Sequence, residues 1–137
     1  MFLNEVTETI RKAISAGNRK FALLGEPGAG KTFLVRKFYG SALPTSSNVV
    51  TSPTFLFRNV YPFNGAEIHH YDLYRVRSHE HLIEIGFYES ADDPSVICFI
   101  EWADLYPEAL ETCQTIIEIE TGEDAGGKYK INIPARK

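Results

Sequence analysis

A glycine-rich octapeptide is the feature that most constrains how this chain can fold. The stretch Gly25–Thr32, with the sequence GEPGAGKT, fits the pattern G-x-x-x-x-G-K-[ST] at every fixed position. Glycines let a backbone adopt positive φ and approach an anion closely, so that successive N–H groups can converge on phosphate oxygens. A helix that begins at the loop adds the positive end of its dipole. The pattern therefore predicts a loop that binds a nucleoside triphosphate.

The surroundings of the loop support this prediction. Residues 21–24 are apolar and typical of a short buried strand, and residues 32–39 are typical of a helix. Strand, loop and helix in that order are the context in which such a loop binds phosphate. The alternative is a glycine-rich turn that only joins a strand to a helix. The predicted nucleotide contacts are Gly25, Glu26, Pro27, Gly28, Ala29, Gly30, Lys31, Thr32 and Phe33.

Composition limits the class of protein. The 137 residues predict one domain, residues 1–137, and the net charge of −4 argues against a stand-alone nucleic-acid binder, which would show a basic face. No apolar run approaches the ~20 residues that span a bilayer, and the N-terminus lacks a signal-peptide pattern, so we expect a cytoplasmic protein away from membranes. Cys98 and Cys113 lack close cysteine neighbours, and Cys98, inside an apolar run, is expected to be a buried, inert thiol and not a metal ligand or redox group. The oligomeric state stays open.

Hydrophobic periodicity predicts alternating helices and strands with one inserted hairpin. Gly17, Gly40 and Gly86 are expected to end helices, and Asn64-Gly65 is a strong signal for a hairpin turn. A second hairpin turn is expected over 121–127. The expected helices cover residues 3–16, 32–39, 79–85 and a short segment containing Pro107; the expected strands cover 21–24, 55–61, 66–71, 96–100, 115–120 and 128–133.

Two acidic residues are candidates for the rest of a nucleotide site. The apolar run 96–100 ends in Glu101, which has the form of a Walker B strand whose acid holds Mg²⁺ beside Thr32. The alternative is a glutamate that only faces solvent at the end of a strand. Asp72, at the end of another strand, could face Mg²⁺ as well or position a water. Lys31 is expected to reach the β- and γ-phosphates.

Residues outside these motifs gave weaker signals. Thr54 follows Pro53 and could report the γ-phosphate in a switch-like segment, or the tripeptide could be a simple kink. His69 and His70 are adjacent on a strand and point to opposite faces, while His79 and His81 diverge on a helix. All four histidines are therefore expected to be structural or exposed to solvent and not to hold a metal.

Four segments taken together resemble one family. They are GEPGAGKT (25–32), TSPTF (51–55), HYDLYR (70–75) and IEW (100–102), and their order and spacing resemble the TsaE (YjeE) family, a small bacterial ATPase of tRNA threonylcarbamoyladenosine biosynthesis. The resemblance covers roughly residues 20–105. It implies an α/β, P-loop NTPase-like fold with a mixed sheet, helices on both faces and an inserted β-hairpin.

The resemblance also implies a function. It is Mg²⁺-dependent ATP hydrolysis in support of a TsaB–TsaD pair that modifies the adenosine next to the anticodon of ANN-decoding tRNAs, with tRNA met only through that complex. By motif position, Thr32 and Glu101 would hold Mg²⁺, while Asp72, Glu101 and Thr54 would be the catalytic residues. Trp102 would flank the site and pack against the hairpin.

The chain departs from the usual family pattern in its phosphate loop, in a shorter N-terminal helix and in a C-terminal region that matches only loosely. Glu26-Pro27 replaces the Asp-Leu pair of most family members, and a proline removes one backbone N–H from the loop. Two other functions stay open. A small-molecule kinase could use Arg75 and Arg77 on a lid over 73–90, and a nucleotide-dependent binding switch would hydrolyse slowly to reset an assembly.

Overall fold

The computed structural model describes residues 2–26, 30–42, 57–120 and 128–132. Helices and strands alternate along most of this chain, as the periodicity predicts. A short 3-10 turn, Ala103–Leu105, follows the fourth strand. The helices are α1 (Leu3–Ser15), α2 (Lys31–Ala42), α3 (His79–Glu84), α4 (Phe87–Ala91) and α5 (Pro107–Glu111); the strands are β1 (Lys20–Leu24), β2 (Arg58–Phe63), β3 (Ala66–Asp72), β4 (Val96–Glu101), β5 (Thr115–Glu120) and β6 (Lys128–Asn132).

The strands form a six-stranded mixed sheet in the order β2-β3-β4-β1-β5-β6. The inner strands β3, β4, β1 and β5 run parallel, and β2 and β6 add antiparallel edges through two hairpins. In this register Glu101 lies opposite Leu23 of β1 on one side and Asp72 of β3 on the other. The carboxyl ends of β1, β3 and β4 therefore meet at one edge of the sheet.

Helices cover both faces of the sheet because its inner strands are apolar on both sides. On one face Phe21 and Phe99 stack with ring centroids 5.2 Å apart, under α1 and α2. On the other face Ala22, Cys98 and Ile100 pack with residues of α3, α4 and α5. This arrangement confirms the predicted α/β fold with a mixed sheet, helices on both faces and an inserted hairpin.

The inserted hairpin forms at the predicted turn, but its first strand is shifted. Asn64 and Gly65 have φ of 48° and 82°, as a two-residue type I′ turn requires. The strand expected over 55–61 instead runs from Arg58 to Phe63. Phe57 has φ of 61°, in the left-handed region, so the extended backbone begins only after it. Residues 55 and 56 lie outside the described residues.

Two helix predictions also need correction. Gly40 was expected to end the second helix, but α2 continues to Ala42. Phe38 and Tyr39 are buried against the sheet, and this packing outweighs the cost of about 1 kcal/mol for a glycine inside a helix. Helix α4 was not predicted, because five residues are too few to show a period. Gly17 and Gly86 adopt positive φ just after α1 and α3, as expected.

Both cysteines are buried free thiols, as predicted for Cys98. Burial raises the pKa of Cys98 to about 11, which disfavours the reactive thiolate near neutral pH. Across the described ranges, every helix is too short or too polar to cross a bilayer.

Candidate functional site

The edge where β1, β3 and β4 end brings the predicted site residues together. The phosphate-loop sequence begins at Gly25 directly after β1, Asp72 ends β3 and Glu101 ends β4. Ligands of open α/β sheets bind at the carboxyl ends of parallel strands, because the loops that follow those strands surround a common crevice. The sheet order thus converts three distant sequence segments into one site.

Lys31 is the first residue of α2 and lies inside this site. Only 5% of its surface is exposed, and its Nζ donates hydrogen bonds to the carbonyls of Gly25 at 2.7 Å and Glu26 at 3.2 Å. The same ammonium lies 4.2 Å from the ring centroid of Trp102. Burial lowers the pKa of Lys31, against the opposing attraction of Glu101 and other carboxylates. The lysine is therefore held against the loop.

The start of α2 has features that suit the binding of an anion. Gly30 has φ of 105°, a conformation that side chains rarely adopt, so the glycine is required there. The first N–H groups of an α-helix lack intrahelical partners and can accept an anion as ligand. Phe33 belongs to this first turn, but its side chain is 43% exposed and packs under the Lys37 ammonium. Its backbone is therefore the part that can serve the loop.

Thr32 and Glu101 are in direct contact although 69 residues separate them. The Thr32 hydroxyl donates a 2.7 Å hydrogen bond to Oε2 of Glu101, which is 4% exposed. The alternative, in which Glu101 only faces solvent at the end of its strand, does not hold, because its side chain is buried. A hydroxyl beside a carboxylate is the oxygen donor set that Mg²⁺ prefers.

Asp72 lies beside Glu101 at the end of the adjacent strand. Its carboxylate Oδ1 accepts a 3.0 Å hydrogen bond from the backbone N–H of Tyr74. Burial is the main cause that raises the pKa of Asp72, and the nearby negative charge of Glu101 adds to it. A carboxyl group with a raised pKa is suited to orienting or deprotonating a water.

Within the described part of the chain, no group of three or more histidine, cysteine or acidic side chains could hold a metal ion. Mg²⁺ does not require one, because it usually keeps several waters and binds one or two protein groups together with phosphate oxygens. Thr32 and Glu101 fit that kind of site. The remaining predicted site residues, Pro27, Gly28, Ala29 and Thr54, lie outside the described residues.

Comparison with known proteins assigns the family. Residues 3–130 match the family described as Threonylcarbamoyl adenosine biosynthesis protein TsaE. The chain belongs to the TsaE family. This confirms the resemblance inferred from its four sequence segments.

Individual TsaE proteins match over different lengths. The TsaE protein of Rickettsia typhi is 35% identical over 64% of this chain and 59% of its own length. That of Borreliella burgdorferi is 40% identical over 60% of this chain and 58% of its own. That of Aquifex aeolicus is 30% identical over 84% of this chain and 77% of its own. The chain thus spans less than two thirds of the length of several curated TsaE relatives that it matches.

A solved structure shares the fold. The crystal structure of YdiB from Bacillus subtilis matches with a TM-score of 0.56 and 25% identity, over 94% of this chain and 79% of that one. The likeness therefore covers nearly the whole chain.

Sequence reasoning missed one residue of this TsaE site. His70 is fully buried, and its Nε2 lies 2.5 Å from Oε2 of Glu101, while His69 turns to the opposite face and bonds Ser90 at 2.6 Å. Strand alternation correctly separated the two rings. It could not show that His70 faces Glu101, because the sequence does not say that β3 and β4 are neighbours.

Trp102 flanks the TsaE site. Its backbone is left-handed with φ of 63°, and its ring packs against Tyr74 at 5.0 Å between centroids as well as against the Lys31 ammonium. Tyr74 follows the end of β3. Trp102 thus packs against the turn that follows the hairpin, and against a core cluster that includes Tyr71 of its second strand.

Proposed function

We propose that this chain binds Mg-ATP and hydrolyses it in support of a TsaB–TsaD pair that forms threonylcarbamoyladenosine at position 37 of ANN-decoding tRNAs. The observation that carries the proposal is the hydrogen bond between Glu101 and Thr32, the last residue of the phosphate-loop sequence. It joins the two motifs that a phosphate-loop hydrolase needs, one for phosphate and one for metal. Membership of the TsaE family supplies the pathway.

Lys31 and the first-turn amides of α2 are assigned to the phosphates. In the free chain the Lys31 ammonium is bonded to the carbonyls of Gly25 and Glu26. Phosphate oxygens would replace these two neutral acceptors with charged ones, which form stronger hydrogen bonds. Lys31 is thus already close to its ligand and needs to move only its ammonium group.

Thr32 and Glu101 are assigned to Mg²⁺. When bound, the ion would neutralise negative charge on the phosphates as the terminal bond breaks. Both described hydrogen bonds of Glu101 reach Oε2, from Thr32 and from His70. We therefore assign the other oxygen, Oε1, to the metal or to a water in its shell.

Asp72 is assigned to the attacking water. Its raised pKa gives the carboxylate greater proton affinity, and the Tyr74 N–H fixes one of its oxygens. The other oxygen can then accept a hydrogen bond from water. Thr54 is assigned by motif position alone, as the residue of the switch-like segment that reports the γ-phosphate.

The dependence on partners is inferred from the arginines. Arg75 and Arg77, the nearby arginines that could reach a γ-phosphate, are exposed in the segment after β3. A γ-phosphate at the site would therefore need a positive charge added to it. An arginine supplied in cis or in trans increases kcat by about 10³–10⁵ in phosphate-loop hydrolases. The isolated chain should therefore hydrolyse ATP slowly and accelerate on its complex.

The same segment disfavours the kinase alternative. A lid over 73–90 would need to move freely, but Leu73, Leu82 and Phe87 are buried in the core on the α3–α5 face. The other alternative, a nucleotide-dependent binding switch, would use the same nucleotide site. It differs from the proposed ATPase in that hydrolysis would only reset an assembly.

Two measurements test the proposal. Steady-state phosphate release should rise at least tenfold when a cognate TsaB–TsaD pair is added at fixed salt. In cells depleted of their own TsaE, this chain should restore threonylcarbamoyladenosine in tRNA, and Lys31→Ala should not. Fast hydrolysis that ignores the partners would contradict the partner dependence. Labelled phosphate on a metabolite would support the kinase instead.

A further inference from the structure

We propose that His70 is a positioning residue that holds the carboxylate of Glu101 in the orientation required for Mg²⁺. This inference rests on the proposed function, since it concerns the same site. It adds a role for a side chain that touches neither nucleotide nor metal. His70 acts through Glu101 alone.

The contact between the two side chains is close and shielded from water. His70 Nε2 lies 2.5 Å from Glu101 Oε2, with the histidine side chain fully buried and that of the glutamate 5% exposed. When the Glu101 side chain is a carboxylate, it only accepts hydrogen bonds, and His70 Nε2 is then the donor. Water cannot easily replace such a donor at a buried position, and the carboxylate would lose one of its two fixed partners without it.

Two donors on one oxygen determine the rotation of the carboxylate. Thr32 Oγ1 reaches Oε2 from α2, and His70 Nε2 reaches the same oxygen from β3. A single donor would still allow the carboxylate plane to turn about its own axis. Two donors from separate elements restrict that motion and present Oε1 in one direction.

The sheet in turn holds the imidazole. His70 is paired with Phe99 of β4 and with Asn59 of β2, so its backbone is fixed from both sides. Its Nδ1 lies 3.4 Å from the hydroxyl of Tyr61, which can donate to it. The two ring nitrogens thus face different partners, Glu101 at Nε2 and Tyr61 at Nδ1, which hold the ring in one orientation. Partners of metal ligands that are arranged in this way typically change metal affinity 10–100-fold when mutated.

A purely structural histidine would behave differently. If His70 only fills space, its replacement would change unfolding but leave the dependence of nucleotide binding on Mg²⁺ intact. If it orients Glu101, its replacement would raise the Mg²⁺ concentration needed for half-maximal ATP binding. The Mg²⁺ dependence therefore separates the two roles.

The test compares His70→Gln with His70→Asn in the full chain. A glutamine amide extends as far as the imidazole Nε2 and can still donate to Glu101, whereas an asparagine amide is one carbon shorter. His69→Gln is the matched control, because it changes the neighbouring buried histidine on the opposite face. ATP binding is measured by titration calorimetry over a range of Mg²⁺ concentrations, and thermal unfolding is measured on the same samples.

The expected result is a rise of about tenfold or more in the half-maximal Mg²⁺ concentration for His70→Asn. His70→Gln and His69→Gln should stay within about threefold of the unmodified chain. Equal Mg²⁺ dependence in His70→Asn and the unmodified chain would overturn the positioning role while leaving the proposed function intact. Absence of ATP binding by the unmodified chain would overturn both.

Discussion

Asp72 and Glu101 are direct register partners at the ends of the adjacent parallel strands β3 and β4. Their carboxyl groups share one edge of the sheet, yet their surroundings differ. Glu101 is buried and receives donors from Thr32 and His70, while Asp72 is half-buried and receives the N–H of Tyr74. In the proposed function this difference assigns Glu101 to metal binding and Asp72 to water activation.

Asp72→Asn should stabilise the free protein near neutral pH. The pKa of Asp72 is raised in the folded chain, so the folded state binds protons more tightly than the unfolded state, whose carboxyl titrates near 3.8. Ionised Asp72 therefore lowers stability above its folded pKa, and this cost disappears below 3.8. Asparagine keeps the acceptor for the Tyr74 N–H. Thermal unfolding from pH 3.5 to 8 should show the advantage of the variant fading as the pH falls.

Asp92→Asn is the control for this experiment. Asp92 is an exposed acid at the end of α4, away from the site. The Asp92→Asn substitution should leave the dependence of thermal stability on pH nearly unchanged. An Asp72→Asn variant that is less stable than the unmodified chain at pH 7 would contradict the prediction.

The two carboxylates should also separate in function. Glu101→Gln removes the charge assigned to Mg²⁺ and should weaken ATP binding only when Mg²⁺ is present. Asp72→Asn should bind Mg-ATP nearly normally and lose turnover, as expected for an interaction made mainly in the transition state. Calorimetry and phosphate release together check this. Equal losses of binding in both variants would make the two acids joint metal ligands.

Lys31→Ala should remove the stabilisation of the protein by nucleotide. A ligand that binds only the folded state at ~100 times its Kd adds about 2.7 kcal/mol to the free energy of unfolding. For a domain of this size the Tm should rise by on the order of 10 °C. The variant should stay folded and show little of that shift in a thermal scan with Mg-ATP. A full shift would refute the assignment of the loop.

Trp102 should report the movement of Lys31. It is the sole tryptophan of the chain, and the Lys31 ammonium lies 4.2 Å from its ring centroid. Phosphates that draw the ammonium away would remove a cation–π contact and change the tryptophan fluorescence on addition of Mg-ATP. Lys31→Met should abolish the change. Lys37→Met, which removes an equivalent contact with Phe33, should preserve it.

Much of the fold could be predicted because its signals are local. The phosphate loop, the Asn64-Gly65 turn and the apolar run of β4 each carry their own pattern. The shifted start of β2 could not be predicted, because it depends on the left-handed conformation of Phe57. The extension of α2 past Gly40 depends on tertiary packing, which outweighs the local preference for ending there.

The candidate site could be predicted in its parts but not in its connections. Motifs indicated Lys31, Thr32 and Glu101, and strand ends indicated Asp72. The bond between His70 and Glu101 is a property of strand order, which the sequence does not display. The contact between Trp102 and Lys31 likewise depends on the left-handed turn after β4.

The central position of β1 has a consequence for the synthesis of this protein. Its neighbours in the sheet, β4 and β5, are both made more than 70 residues later, so the strand before the phosphate loop stays unpaired while most of the chain is translated. Contacts between such distant segments form slowly, since a long loop must close before they are gained. A nascent chain should therefore be unable to hold nucleotide until Glu101 has left the ribosome.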